Sequence, residues 1–202
     1  MKKRNLRVLV VILSLAASVW AQSLTQAERD RAVKYLESTR QGVQDATAGL
    51  SQAQWNFKPA PDKWSVAEVT EHIAAAEDML RGMVTDQVMK APPRPAGEDV
   101  KAIDEMVLTA IPDRTHKAQA PEPLKPTNRF GSPEASLKHF AESRQQTLDF
   151  LKKHDDLREH ASDSPLGKKL DAYEWILFVA GHSDRHTKQI NEVKADPNFP
   201  KS

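Results

Sequence analysis

Cysteine is absent from this 202-residue chain, which excludes disulfides, a thiolate nucleophile and Cys-ligated zinc. Glycine is scarce, at 7 residues, and no stretch carries the alternation of apolar and polar residues that marks a half-buried strand. What these absences leave is an all-α fold. An excess of one charge is also missing, with 29 Lys and Arg against 28 Asp and Glu. That balance provides no electrostatic footprint for nucleic acid or an anionic membrane surface as partner.

Long apolar runs are limited to one. Val8 to Val19 is almost uninterrupted, follows the basic residues Lys2, Lys3, Arg4 and Arg7, and leads into Val19-Trp20-Ala21, a small-x-small cleavage pattern. The run falls short of the roughly 20 residues that span a bilayer. Residues 1–21 therefore read as a signal peptide, the alternative being an uncleaved N-terminal anchor, and 22–202 as one domain of a size that supports a real core. The expectation is an exported protein, periplasmic or secreted, with no membrane attachment after cleavage. Its remaining 25 basic and 28 acidic residues leave it mildly acidic.

Helix starts are what the chain has in abundance. Thr25-x-x-Glu28, Ser65-x-x-Glu68 and Asp171-x-x-Glu174 have the form of capping boxes, in which the first side chain accepts from the N3 amide and the N3 carboxylate answers to the N-cap amide. Ser132-Pro133-Glu134 puts a capping residue before a proline at the first helical position. Four starts predict four main helices, over 25–50, 65–90, 132–153 and 171–195, with a shorter one near 98–110 ended by Pro112. The run from Pro112 to Ser132 contains Pro121, Pro123 and Pro126 and cannot be helical throughout. An up-and-down four-helix bundle with a short extra helix and a long Pro-rich crossover is the expected architecture.

The histidines fall where histidines are costly. On a helical wheel, Trp175, Phe178, Val179, His186 and Val193 lie within roughly 60° of His182, so His182 and His186 sit in the apolar stripe. Four residues apart, they project side by side. His72 is flanked in the same way by Val69, Ala76, Met79 and Met83. Burying an unpartnered polar ring costs on the order of 1–3 kcal/mol. One divalent ion bound by three neutral imidazole nitrogens removes that cost and leaves positions open for water or substrate. Zinc, nickel, iron and manganese all suit such a donor set. The alternatives are a non-catalytic exported bundle in which the ion is structural or sequestered, and a metal-free core in which the rings satisfy one another, since a lone H-x-x-x-H on a helix is a common pattern.

Trp55-x-x-Lys58-Pro59-Ala60-Pro61-Asp62-Lys63-Trp64-Ser65-Val66-Ala67-Glu68-Val69-x-x-His72 resembles the DinB/YfiT-like four-helix superfamily. So do Pro165-Leu166-Gly167 with Tyr173-Glu174-Trp175, and Gly181-His182-Ser183-Asp184-Arg185-His186-Thr187-x-Gln189-Ile190. The tail Asp196-Pro197-Asn198-Phe199-Pro200 matches as well. The resemblance covers about residues 25–200 and implies a three-histidine metal site at His72, His182 and His186, usually holding zinc or nickel. It further implies a metal-dependent transferase or hydrolase acting on a small-molecule substrate, with a homodimer as the common assembly. Family transferases use the metal to activate a low-molecular-weight thiol. Those thiols are cytoplasmic, and the export signal sets this chain apart from them.

Other residues have simpler readings. Glu68 is explained by its capping box, although it lies one turn before His72. Arg185 is placed to hold an anionic substrate or to be solvated. Trp64 and Trp175 read as packing residues, Met79 and Met83 as core filler, and His116, His139, His154 and His160 as surface residues. No general acid or base stands out.

Overall fold

A computed structural model describes residues 23–201 of the chain, and the expected signal segment lies outside the described residues. The elements are α1 (Gln26–Thr47), α2 (Gln52–Asn56), α3 (Val66–Asp86), α4 (Val100–Ala110), α5 (Pro133–Lys153), β1 (Ala161–Asp163), β2 (Lys169–Asp171) and α6 (Ala172–Lys194). Reciprocal capping boxes at Thr25, Ser65 and Asp171 start α1, α3 and α6, and Ser132 caps α5 ahead of Pro133. Each such cap is worth about 1 kcal/mol. The extra helix α4 is capped by Asp99. None of the described helices is long and apolar enough to cross a membrane.

Two local features depart from the sequence expectation. The first helix ends at Thr47, and Gly49 in the left-handed region (φ 68°) turns the chain into a separate α2 with its own Ser51/Gln54 box. A short antiparallel hairpin pairs Ala161 with Asp171 and Asp163 with Lys169 just before α6. Its strands are three residues each, too short to show alternation.

Two apolar clusters give the direction of each helix. One joins Ala32 and Leu36 of α1, Leu80 and Val84 of α3, Leu148 and Leu151 of α5, and Tyr173 to Ala180 of α6. The other joins Val43 and Ala46, Val66 to Ile73, Phe140, and Ile190 with Val193. The start of α1 thus lies with the start of α6 and with the ends of α3 and α5. Helices α1 and α6 run one way, and α3 and α5 the other. The four-helix bundle stands, but strict up-down alternation gives way to up-down-down-up. The long crossover between α3 and α5 makes this possible, because it carries the chain back to the end where α3 began. Around the bundle, α6 packs on α1 and α3, and α5 packs on the same two helices.

The crossover closes over the α3–α6 side as a strap from Pro112 to Ser132. Leu124, Ala120 and Phe130 cover Ala75 and Ala76 of α3. At its start the strap presses on α6, where a Cβ at Gly181 would meet the Ile111 side chain at 3.1 Å. Glycine at that position permits the approach.

Candidate metal centre

His72 lies on α3, and His182 and His186 lie one turn apart on the antiparallel α6. The structure brings all three together, with one ring nitrogen from each within 4.8 Å of the others. Ring centroids are 4.4 Å apart for His72–His186 and for His182–His186, and 5.1 Å for His72–His182. His72 and His186 are buried, at 3% and 8% exposure, and His182 is half-buried. Trp64 packs on His72 with centroids 5.0 Å apart, walling that ring.

Partners on the outer ring nitrogens decide the tautomers. His72 Nδ1 lies 2.9 Å from Leu124 O, a carbonyl that only accepts, so Nδ1 carries the proton. His186 Nδ1 lies 2.8 Å from Gln189 Oε1, and that oxygen also accepts from Arg114 Nη1 at 3.1 Å. The arginine, which has no acceptor, sets the amide orientation, and His186 Nδ1 is therefore a donor too. Both Nε2 atoms are left as bare lone pairs. They face each other at 3.2 Å.

Two lone pairs at that distance in a water-poor site repel unless something positive lies between them. A proton on either ring is disfavoured. Burial, and then the neighbouring His72, push His186 down to about 3. Burial followed by the two neighbouring rings holds His182 well below its ordinary value, and burial lowers His72 despite the Leu124 bond. The three rings are neutral near pH 7, the state a metal requires of its imidazole ligands. Outer nitrogens tied to a backbone carbonyl and a carboxamide, with inner nitrogens convergent, form the usual second layer of a histidine metal site. The residues present fit a divalent cation. Among the described residues no carboxylate joins the cluster, so a bound ion would keep its full charge.

The remaining candidates fall into place. Glu68 closes the Ser65 box and pairs with Lys58 at 2.7 Å. Arg185 donates to the His116 carbonyl on the strap. Trp175 packs on Phe178 and donates its indole N–H to Ser162 Oγ. His139 bonds to Asp78, and His160 to the Ala91 carbonyl. Met83 packs against the core, whereas Met79 is 42% exposed and is not core filler. The strap's apolar cover of α3 is Ala75 and Ala76, and Met79 stands beyond it.

Sequence reasoning missed Leu124, Gln189 and Arg114. Gln189 was within reach, being three residues after His186 on the same helix face. Nothing local marks Leu124 or Arg114. A cleft of ≈ 700 Å³ lined by Asn56, Glu68, Glu71 and Thr127 contains none of the three histidines. Concavity alone points to that cleft, whereas donor geometry points to the triad.

Residues 35–190 match the family model described as the DinB superfamily. The chain is 30% identical over 149 residues to the "Uncharacterized protein YuaE" of Bacillus subtilis, covering 72% of this chain and 86% of that protein. Among solved structures it is similar to YfiT from Bacillus subtilis, with a TM-score of 0.54, 17% identity and coverage of 89% and 93% of the two chains. That protein is described as a probable metal-dependent hydrolase with an unusual four-helix bundle topology. With the fold, the three histidines and the family match in agreement, the chain belongs to the DinB superfamily.

Proposed function

We propose that the protein is a metal-dependent enzyme, a hydrolase or group transferase for a small molecule, with His72, His182 and His186 as the ligands of one divalent ion. The observation that carries this reading is the pair of unprotonated Nε2 atoms aimed at each other at 3.2 Å, with both outer nitrogens already engaged. Three neutral nitrogens suit zinc or nickel and leave coordination positions free. An ion held there supplies Lewis acidity toward a carbonyl or phosphoryl oxygen and acidifies water near neutral pH. The chain's own contribution is to hold the imidazoles neutral and oriented and to keep water from the His72–His186 side. Trp64 lines the His72 wall, and Arg185, tethered to the His116 carbonyl, places a cation near the ligands. The description of YfiT supports the hydrolase form of the reaction. The basic and apolar run over residues 2–19 supports action outside the cytoplasm, which cell fractionation would check.

The test is elemental analysis of the purified full chain beside its His182→Ala variant, followed by hydrolysis assays on activated esters before and after chelation. About one ion per wild-type chain is expected, lost in the variant, with activity restored by metal after chelation. Equal metal in both proteins would sink the assignment.

A further inference from the structure

Glu71 immediately precedes the first histidine and is a carboxylate only 6% exposed. All its hydrogen-bond donors come from the strap. The amides of Thr127, Asn128 and Arg129 reach it at 2.7, 2.8 and 3.1 Å, and Arg129 Nε at 3.2 Å. Three successive amides converging on one anion form a nest. Asn128, at φ 59°, supplies the left-handed residue in it, a conformation asparagine tolerates better than most. Burial alone would raise the Glu71 carboxyl. The three amides and the guanidinium more than offset this and hold it below its ordinary value.

Arg129 extends the anchorage toward the site. Its Nη1 donates to Pro123 O at 2.9 Å and its Nη2 to Lys125 O at 2.7 Å. Those carbonyls flank Leu124, whose own carbonyl accepts from His72 Nδ1. The chain of contacts is continuous: carboxylate, guanidinium, two peptide groups, and the one between them on the ligand ring. A neutral imidazole in water interconverts between its tautomers, and only one of them turns a bare Nε2 toward His186.

We propose that Glu71 and Arg129 are positioning residues of the metal centre, fastening segment 123–129 so that Leu124 O locks His72 in its Nδ1-protonated tautomer. The proposal rests on the metal-centre reading above and names how its first ligand is set. A loop tie that only held the strap down would need no clamp on both carbonyls beside Leu124.

The full chain and its Glu71→Gln and Arg129→Ala variants are compared in three measurements. Zn²⁺ affinity is read by competition with a chromophoric chelator, the His72 tautomer by ¹⁵N NMR of the metal-free protein, and stability by thermal unfolding without metal. Both variants are expected to bind Zn²⁺ about 10- to 100-fold more weakly, the usual cost of disturbing an outer-layer partner. Their His72 Nδ1 resonance should move from the protonated toward the unprotonated position. A folded variant that keeps wild-type affinity within about twofold and the wild-type tautomer overturns the proposal, even if its melting temperature falls. Should Glu71→Gln not fold, Arg129→Ala decides, since it alters a strap side chain that is 30% exposed. A wild type that binds no Zn²⁺ would refute the metal centre instead, and the tautomer measurement would still decide the role of Glu71 and Arg129.

Discussion

The two ends of the bundle bury polar groups in opposite ways. Where α1 and α6 begin, Arg158 reaches both oxygens of Asp104 (2.9 and 2.7 Å), Asp171 at 3.0 Å and Glu28 at 2.8 Å. Arg94 adds bonds to Asp171 and Glu174, and the remaining oxygens of that pair accept each other's amides in the capping box. Arg158 also lies over the Tyr173 ring at 4.2 Å. Every carboxylate oxygen there has a donor. At the other end, His72 and His186 engage their outer nitrogens with Leu124 O and Gln189 Oε1, and a ring nitrogen of each converges with one of His182. A network in which every acceptor has a donor fixes helix ends, whereas bare acceptors that converge suit a cation.

The sharpest way to break the first end is Arg158→Met. Buried Asp104 would lose both its bonds to the guanidinium and Asp171 one of its three donors, at a cost of about 3–5 kcal/mol, measurable by chemical denaturation. A loss under about 1 kcal/mol would show that the network is not the closed unit described. The contrasting change at the open end is His186→Ala. Metal at 100 times its Kd should stabilise the wild type by about 2.7 kcal/mol and leave this variant unmoved. Thermal melts with and without Zn²⁺ make the comparison, and equal shifts would contradict a shared site.

Gly181→Ala tests the contact that aligns the strap with α6. The added methyl must push Ile111 aside, an overpacking cost of about 1–3 kcal/mol, visible as a lower denaturation midpoint. A neutral or stabilising result would mean that the strap yields freely. The smallest effect is a pH dependence from carboxylates away from the His72, His182 and His186 cluster. Burial would raise Glu28, but the Thr25 hydroxyl and amide and Arg158 more than offset it, leaving it lowered. Asp78 is lowered in the same way by Ser143 and His139 against its burial. A depressed carboxyl contributes stability above its unfolded value, here 4.5 or 3.8, and that stability disappears as pH falls through the lower folded value. Stability carried by these two groups is therefore flat from pH 7 to 5 and declines below about 4. Glu28→Gln should flatten part of that decline in acid melts, and an unchanged profile would remove Glu28 from it.

Local physics determined what could be read from the amino-acid sequence by itself. A capping box needs partners three residues apart, and an apolar stripe repeats every three or four. Four main helices and the inward placement of His72, His182 and His186 were therefore written into short windows. Only the tertiary structure decided the rest, because the partners are remote in the chain. The His72 and His186 rings meet across 114 positions, and Leu124 reaches His72 across 52. Arg158 finds Glu28 across 130. The parallel run of α3 and α5 depends on where the strap sets the chain down, and Met79 is exposed because the strap's cover stops short of it. The tautomers that leave two bare nitrogens face to face follow from a carbonyl and a carboxamide that no periodicity marks. Contacts of that range carry no local signature, since loop closure depends only weakly on the length of chain between them.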